Sequence, residues 1–397
     1  MHPSPSIAAA CTALAPDPAS PALAEPLPVG QLYFPDWDRY EAAMRDLFER
    51  QYYTNQGPLV RQLETRLAQR LQVRHAICVT NATIGLLMAC EALQLTGKVI
   101  VPSFTFIATA QALSWCGLTP VFCDVDPVTH QITPALVEPL IDDEVSAILA
   151  VNLWGDACPA GPLQALADRH GLKLFFDSAH SMGCEVAGVP LGRFGAVEVF
   201  SFHATKVFST GEGGCLTTDD DELAARLRNI RSSYGAGHPV DVVKTSNGRM
   251  SEAQAAIGLL NLDTFDDALA RNRDLFDAYA SHLADVPGLT IYRPRQVSHS
   301  NHQYVILEVD EAAFGLSRDA LQARLKAQNI LARRYFHPGA HRSPPYATEL
   351  PQYVDALPVT DWLNTRLLQL PSGALVTAAH VATICACVIA ARQHAAG

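Results

Sequence analysis

Strand-like and helix-like segments alternate along most of this 397-residue chain, and this alternation constrains its fold more than any other feature. Helical stretches at 84–95, 105–116 and 160–170 separate several short runs rich in Val, Ile and Phe. The strand-like runs are HAICVT, KVIVP, PVFCDVD, SAILAVNLWG, LKLFFD, EVFSF and GCLTT. Such alternation predicts an α/β fold, with a mostly parallel sheet covered on both faces by helices.

The length of the chain favours two domains. With 49% hydrophobic and 17% charged residues it can bury a large core, and it is longer than one ordinary compact domain. We expect a large domain at 31–262 and a smaller C-terminal domain at 263–397. Residues 251–285 predict a long helix, and NHQYVILEVD and LSRDALQARLKAQNI predict a strand and a helix of the second domain. The Ala- and Pro-rich residues 1–30 predict a disordered tail.

Charge and cysteine spacing exclude several classes of protein. The net charge is -11 and the pI is about 5.7, without a lysine or arginine cluster, which argues against a nucleic acid or an anionic membrane as partner. No run of about 20 apolar residues and no secretory signal is found, so we expect a cytoplasmic protein acting on small molecules. Ten cysteines without a CxxC pair predict neither a metal site nor a disulfide framework.

Lys206 is the first candidate for chemistry. It lies between the apolar run VEVFSFHAT and the glycine-rich VFSTGEGG, with no other charged residue between Glu198 and Glu212. A half-buried amine has a lowered pKa and becomes a usable nucleophile, as Schiff-base chemistry requires. The ordinary alternative is a solvated or structural lysine.

Asp177 directly follows the apolar strand KLFF, where a buried carboxylate is costly unless a cation or hydrogen-bond donors compensate it. The protonated ring nitrogen of pyridoxal 5′-phosphate is such a cation, and an ionised aspartate keeps that nitrogen protonated. A helix or turn cap is the ordinary alternative for an aspartate at this position. Lys206 and Asp177 together predict pyridoxal phosphate as the cofactor.

Further candidates follow other predicted strands. The turn in TNATIGLL offers the backbone N–H groups of Ala82 and Thr83 to a phosphate, and Ser201 offers a hydroxyl, although an ordinary helix cap also explains this turn. Phe106 is suited either to stacking on a cofactor ring or to core packing. His180 is suited to contact the phenolic oxygen of the ring, and a satisfied polar histidine is the alternative.

These segments, in this order, resemble the DegT/DnrJ/EryC1/StrS family of pyridoxal-phosphate-dependent sugar aminotransferases, from about YYTNQGPLV to YFHPGAH. The matching segments are NAT (81–83), PSFTFIATA (102–110), VFCDVDPVT (121–129), FDSAHSMG (176–183), SFHATKVFSTGEGG (201–214) and SNGRMSEAQAAIG (246–258). The resemblance implies the aspartate aminotransferase fold, fold type I. Its large domain is a three-layer α/β/α structure with a mostly parallel sheet, and its smaller C-terminal domain is α+β.

The resemblance also implies roles for individual residues. Lys206 matches the lysine that holds the cofactor covalently, and Asp177 the residue on its pyridine nitrogen. Asn247 matches a residue that reaches the phosphate of the neighbouring subunit's cofactor, which implies a homodimer. The other matching residues are His180 near the phenolic oxygen, Phe106 on the ring, and Ala82, Thr83 and Ser201 at the phosphate. Ala82, where the family often has Gly, and the SAH of FDSAH depart from the common pattern.

The acceptor substrate is predicted from RRYFHPGAH at 333–341, which resembles members that aminate C4 of a nucleotide-linked 4-keto-6-deoxyhexose. We therefore expect a dTDP-4-keto-6-deoxy-D-glucose aminotransferase that uses L-glutamate or glutamine with ping-pong kinetics. Tyr335 and His337 are suited to a hydroxylated sugar, and Arg333 and Arg334 to a phosphate or a carboxylate. Alternatives are amination at C3, a keto-cyclitol substrate, a non-catalytic pyridoxal-phosphate-binding regulator, and an α/β protein without this cofactor.

Overall fold

A seven-stranded sheet forms the centre of the computed structural model, which describes residues 21–232, 240–242 and 244–393. The strands are β1 (Leu27–Pro28), β2 (His75–Val79), β3 (Lys98–Pro102), β4 (Thr119–Cys123), β5 (Val145–Val151), β6 (Lys173–Asp177), β7 (Glu185–Val186), β8 (Val189–Pro190), β9 (Glu198–Ser201), β10 (Gly214–Thr218), β11 (Leu289–Ile291), β12 (Val305–Val309), β13 (Ile330–Leu331) and β14 (Leu367–Leu370).

The central sheet has the order β2-β10-β9-β6-β5-β3-β4. The pairs among β9, β6, β5, β3 and β4 are parallel, whereas β10 runs antiparallel to both β2 and β9. Gly214, the first residue of β10, is therefore opposite Val79 and Ser201, the last residues of β2 and β9. The carboxyl ends of the parallel strands and the start of β10 meet at one edge of the sheet.

Helices cover both faces of this sheet, and further helices pack on the C-terminal part of the chain. They are α1 (Trp37–Arg50), α2 (Pro58–Leu71), α3 (Ala82–Ala92), α4 (Ile107–Trp115), α5 (Pro134–Val137), α6 (Ala160–His170), α7 (Asp221–Arg231), α8 (Glu252–Asp263), α9 (Phe265–Leu283), α10 (Glu311–Phe314), α11 (Arg318–Ala327), α12 (Tyr346–Glu349), α13 (Pro358–Arg366) and α14 (Ala378–Gln393). Short 3₁₀ turns are at Glu138–Leu140, Ala340–Arg342 and Pro351–Tyr353.

Alternate strand residues point to opposite layers, as a sheet buried on both faces requires. Val99 packs with α3, α4 and α7 on one face, whereas Ile100 packs with α6 on the other. Leu63 and Leu67 of α2 pack beneath Cys78 of β2. The predicted three-layer α/β/α arrangement is confirmed.

The C-terminal part contains a separate antiparallel sheet, β11-β12-β14, which packs with α9, α11 and α14. This is the predicted α+β unit. The segment NHQYVILEVD contains β12, and the segment LSRDALQARLKAQNI contains α11. The boundary predicted between residues 262 and 263 falls at the end of α8 and stays a prediction.

The single long helix predicted at 251–285 is wrong in one respect, because it is two helices. A capping box of Ser251 and Gln254 begins α8, and Thr264 leaves helical geometry (φ -115°, ψ 14°) before α9 begins. The two helices pack against different partners. α8 packs on α1 and α2, whereas α9 packs on α14 and β11. One straight helix could not make both sets of contacts.

The predicted disordered tail at 1–30 differs from the structure in its last third. Residues 1–20 lie outside the described residues, as do 394–397. Residues 27 and 28 form β1, which pairs in parallel with β13, and Leu27 N donates to Asn329 O at 2.8 Å. Gln31 continues this path by donating its backbone N–H to Thr205 O at 3.1 Å, next to Lys206. Among the described helices, none is both long and apolar enough to cross a membrane.

Arg231 at the end of α7 is 1% exposed and joins three elements. Its Nη1 donates to Glu64 Oε1 of α2 and, at 2.7 Å, to Cys78 O of β2, while Glu64 also accepts from Cys78 N. A buried ion pair that loses one partner leaves the other charge uncompensated.

We therefore expect Arg231→Met to lower the free energy of unfolding by about 3 kcal/mol, measured by urea denaturation of the cofactor-loaded protein. The control is Arg45→Met, which removes an exposed pair with Glu41, and its effect should be much smaller. Equal effects of the two substitutions would contradict a structural role for the buried pair.

Candidate active site

The carboxyl edge of the central sheet opens into a cavity of about 570 Å³. Asp177 ends β6, Ser201 ends β9, and Lys206 lies in the loop between β9 and β10. The predicted residues that line this cavity are Ala82, Thr83, Phe106, Asp177, His180, Ser201, Lys206, Arg333 and Tyr335. Residues far apart in sequence are thus brought together by strand order, as the sequence predicted for an α/β sheet.

The Lys206 amine is buried, with 8% of the residue exposed. Its Nζ donates to the hydroxyl of Tyr304 at 3.2 Å. Burial lowers the pKa of Lys206, while Tyr335 and Asp177 act in the opposite direction. An amine with a lowered pKa has a larger neutral fraction at a given pH, and the neutral form is the one that acts as nucleophile and base.

The Asp177 carboxylate is also buried, at 6% exposure. Its Oδ2 accepts a hydrogen bond from Thr109 Oγ1 at 2.8 Å, and its Oδ1 accepts one from Ala179 N at 3.1 Å. Burial raises the pKa of Asp177, and these two hydrogen bonds and Lys206 lower it. No ion pair joins Asp177 to a cationic side chain within the described ranges, so a cation in the cavity would be stabilised strongly.

His180 is 4% exposed, and its Nδ1 has no hydrogen-bond partner in the protein. The imidazole stacks on Trp154 with ring centroids 5.8 Å apart. Burial, followed by the charge of Lys206, lowers the pKa of His180 well below its usual value. The ring is therefore neutral at neutral pH, and an unpaired buried nitrogen favours a polar ligand.

A cradle for an anion lies where α3 begins. Asn81 caps this helix by accepting from Ile84 N at 2.9 Å, while the first-turn N–H groups of Ala82 and Thr83 have no carbonyl partner within the helix. A Cβ on Gly214 would lie 2.8 Å from Ala82 N, so only glycine lets β10 approach this turn. Phe106 is 55% exposed at the cavity wall and is not part of the core.

These features fit pyridoxal phosphate. The cavity offers an amine for its aldehyde, a carboxylate without a paired cation for its ring nitrogen, and an unpartnered imidazole nitrogen for a ring oxygen. A helix N-terminus with a neighbouring hydroxyl is the usual site for its phosphate. The residues that would hold the cofactor are Lys206, Asp177, His180, Phe106, Ala82, Thr83 and Ser201.

Three of the predicted site residues do not line this cavity. Asn247 is exposed, and its Oδ1 accepts from Arg249 Nη2 at 2.6 Å, so its role toward a neighbouring subunit stays a prediction. Arg334 is directed toward Asp319, 3.5 Å away in α11, and His337 lies exposed outside the cavity. Arg333 and Tyr335, from the same segment, do line it.

Sequence reasoning missed Thr109, Trp154 and Tyr304. Thr109 lies one helical turn after Phe106, which was a usable signal because residues three apart share a helix face. Trp154 follows the strand end at Val151. Tyr304 comes from the C-terminal part, just before β12, and no local pattern connects it to Lys206.

Known proteins match the chain over nearly its whole length. Residues 37–389 match the DegT/DnrJ/EryC1/StrS aminotransferase family. A dTDP-4-amino-4,6-dideoxy-D-glucose transaminase of Shigella dysenteriae is 37% identical over 79% of this chain and 85% of its own. A GDP-perosamine synthase of Vibrio cholerae is 31% identical over 90% of this chain and 97% of its own. The crystal structure of DesI with its TDP-sugar product is 42% identical, with a TM-score of 0.89 over 95% of this chain and 96% of that one.

The fold and the cavity define an enzyme of fold type I that depends on pyridoxal phosphate. The chain belongs to the DegT/DnrJ/EryC1/StrS aminotransferase family, so the resemblance seen in the sequence is confirmed. It is an aminotransferase.

Two substitutions separate the ring and phosphate parts of the site. Asp177→Asn removes the carboxylate charge that would face the ring nitrogen, and we expect about tenfold or more weaker binding of both pyridoxal phosphate and pyridoxal, measured by absorbance titration of the apoprotein. Gly214→Ala crowds the helix N-terminus and should weaken binding of pyridoxal phosphate alone. Equal losses for both ligands in Gly214→Ala would contradict the placement of the phosphate.

Proposed function

We propose that this enzyme transfers the amino group of L-glutamate or L-glutamine to C4 of dTDP-4-keto-6-deoxy-D-glucose. The observation that carries the proposal is the buried Lys206 amine, which shares a cavity with the Asp177 carboxylate. That carboxylate accepts hydrogen bonds but forms no ion pair with a described cationic side chain. The acceptor is supported by the dTDP-4-amino-4,6-dideoxy-D-glucose transaminase and by DesI with its TDP-sugar product. A GDP-linked keto sugar is the second candidate, supported by the similarity to GDP-perosamine synthase.

When bound, pyridoxal phosphate supplies a carbonyl for the amino group and a ring that accepts electrons as the substrate loses a proton. Asp177 holds the ring nitrogen in its protonated form. The Lys206 Nζ takes the proton from the α-carbon of the amino donor and, in the second half-reaction, places a proton on C4 of the sugar. One amine serves as both base and acid, so its pKa must lie near the working pH.

The burial of Lys206 supports this double role. An exposed lysine has a pKa of about 10.4 and would be almost fully protonated at pH 7. Because burial lowers the pKa of Lys206, the neutral base is present at lower pH than in a solvated lysine. The rate of the glutamate half-reaction should therefore rise with pH and level off below the ordinary lysine pKa.

Substrate contacts are proposed for two residues of the segment after β13. Arg333 is exposed at the cavity wall and offers a guanidinium to a diphosphate or to the donor carboxylate. Tyr335 lies deeper, with its ring centroid 5.9 Å from that of Tyr304, and its hydroxyl suits a sugar. His337 and Arg334 lie outside the cavity wall, which makes them weaker candidates.

We also propose that the active unit is a homodimer. Aromatic side chains are exposed around α1, with 67% of Trp37 and 69% of Phe48 accessible. Neighbouring Phe34, Tyr52 and Tyr53 are between 44% and 49% exposed. Exposed aromatic clusters of this kind mark contact surfaces. A second copy over this surface is consistent with the predicted reach of Asn247 into the other subunit.

The proposal is tested first by the absorbance spectrum of the purified protein before and after L-glutamate or L-glutamine. We expect the band of the lysine-bound cofactor to give way to that of pyridoxamine phosphate with one of these donors. Lys206→Ala should not turn over. Absence of any cofactor band after addition of pyridoxal phosphate would contradict the proposal.

The acceptor is tested with the pyridoxamine-phosphate form of the enzyme and a panel of keto sugars. We expect dTDP-4-keto-6-deoxy-D-glucose to restore the original band fastest, with NMR of the product showing the new amine at C4. A GDP-linked keto sugar in the same panel tests the second candidate. Amination at C3, or faster reaction of a keto-cyclitol, would overturn the assignment.

The shared site is tested by complementation. Lys206→Ala and Asn247→Ala homodimers should each have low activity. A mixed dimer contains one site with both Lys206 and the other subunit's Asn247 intact, and one site that lacks both. Dissociating and reassociating a mixture of the two variants should therefore restore activity to one of the two sites in each mixed dimer. Failure of the mixture to exceed the parent variants, with mixed dimers shown by mass spectrometry, would contradict a role for Asn247 across subunits.

A further inference from the structure

The residues around Tyr304 connect the C-terminal part of the chain to both loops that carry the reactive groups. Asn301 Nδ2 donates to the backbone oxygens of His180 and Met182, at 2.9 and 3.0 Å. Gln303 Oε1 accepts from Val207 N at 2.8 Å. Residues 301–304 therefore hold the loop of His180 and the loop of Lys206 at the same time.

The position of the Tyr304 hydroxyl is fixed from several sides. Only 4% of the residue is exposed, and its ring lies edge-on to His180 at 4.6 Å and to Trp154 at 5.7 Å between centroids. Burial raises the pKa of Tyr304, so the phenol is neutral. A neutral hydroxyl offers a lone pair to an ammonium group, and its own proton remains available to another acceptor.

The bond from Lys206 to this hydroxyl exists while the amine is not joined to the cofactor. Lys206 Nζ lies 3.2 Å from the hydroxyl oxygen and 5.8 Å from the centroid of the Tyr304 ring, so the hydrogen bond is the closer interaction. A free lysine side chain has about 2 kcal/mol of rotamer entropy. An anchor for the amine limits its rotation and keeps it directed into the cavity.

We propose that Tyr304 is a positioning residue for the transamination, because it holds the free Lys206 amine in place between its two proton transfers. This inference rests on the proposed role of Lys206. Tyr304 acts through Lys206 and is not assigned contact with substrate. The hydrogen bonds of Asn301 and Gln303 support this role, because they fix the segment of Tyr304 relative to the loops of His180 and Lys206.

The pyridoxamine-phosphate form of the enzyme is suited to a direct test, because Lys206 is free in that form. The chain has five lysines, all within the described ranges, and Lys206 alone among them is buried. Labelling the lysine ε-carbons with carbon-13 should give five signals, and Lys206→Ala identifies that of Lys206. The other titratable or charged groups lining the cavity are Asp177, His180, His203, Glu212, Arg333 and Tyr335.

Tyr304→Phe keeps the ring and removes only the hydroxyl. Because the hydroxyl accepts a hydrogen bond from the ammonium form, its loss should lower the pKa of Lys206 by about one unit, read from the pH titration of the carbon-13 signal. The value of kcat should fall about tenfold or more, while KM for the amino donor changes little.

The matched control is Tyr279→Phe, which removes another buried tyrosine hydroxyl, one that donates to Pro371 O at 2.8 Å. It should leave both the pKa of Lys206 and kcat unchanged. An unchanged pKa and kcat in Tyr304→Phe would overturn the inference while the proposed function stands. Full activity of Lys206→Ala would instead overturn the proposed function itself.

Discussion

Two buried groups of opposite charge, the Lys206 amine and the Asp177 carboxylate, impose the main constraint on this structure. Each is almost completely removed from water, yet no direct ion pair joins them, and each instead bonds to a neutral hydroxyl, of Tyr304 and Thr109 respectively. Burying charges without a full partner costs free energy of folding. The surrounding layers must supply that free energy, and a cofactor bound as proposed would supply the missing partner for both groups.

The strand order explains how the chain holds these groups at one place. β6 and β9 are adjacent and parallel, so Asp177 and Ser201 end on the same edge of the sheet. β10 returns antiparallel between β9 and β2, so Gly214 lies beside the start of α3. The reversal therefore brings the loop of Lys206 next to the helix N-terminus. A fully parallel sheet would place the start of that strand at the opposite edge.

Much of this arrangement could be predicted from local sequence. Strands that are buried on both faces appear as continuous apolar runs, and the helices that cover them show apolar residues at helical spacing. The seven strands, the three layers and the cavity residues at strand ends follow from that pattern. The break at Thr264 could not be predicted, because the separation of the two helices depends on which elements each one packs against. The order of residues 21–31 was also missed, since their hydrogen bonds join residues about 170 to 340 positions away.

Tyr304 shows the same limit within the site. Lys206 was predicted because a single charge in an apolar segment is a local anomaly, and Asp177 because it follows an apolar strand. A tyrosine before a strand of the separate C-terminal sheet carries no such signal, although its hydroxyl accepts a hydrogen bond from the amine. Residues that react are visible in sequence when their chemistry conflicts with their surroundings. Residues that position them are ordinary in their own segment, and only the packing of the C-terminal part against the central sheet gives them a role.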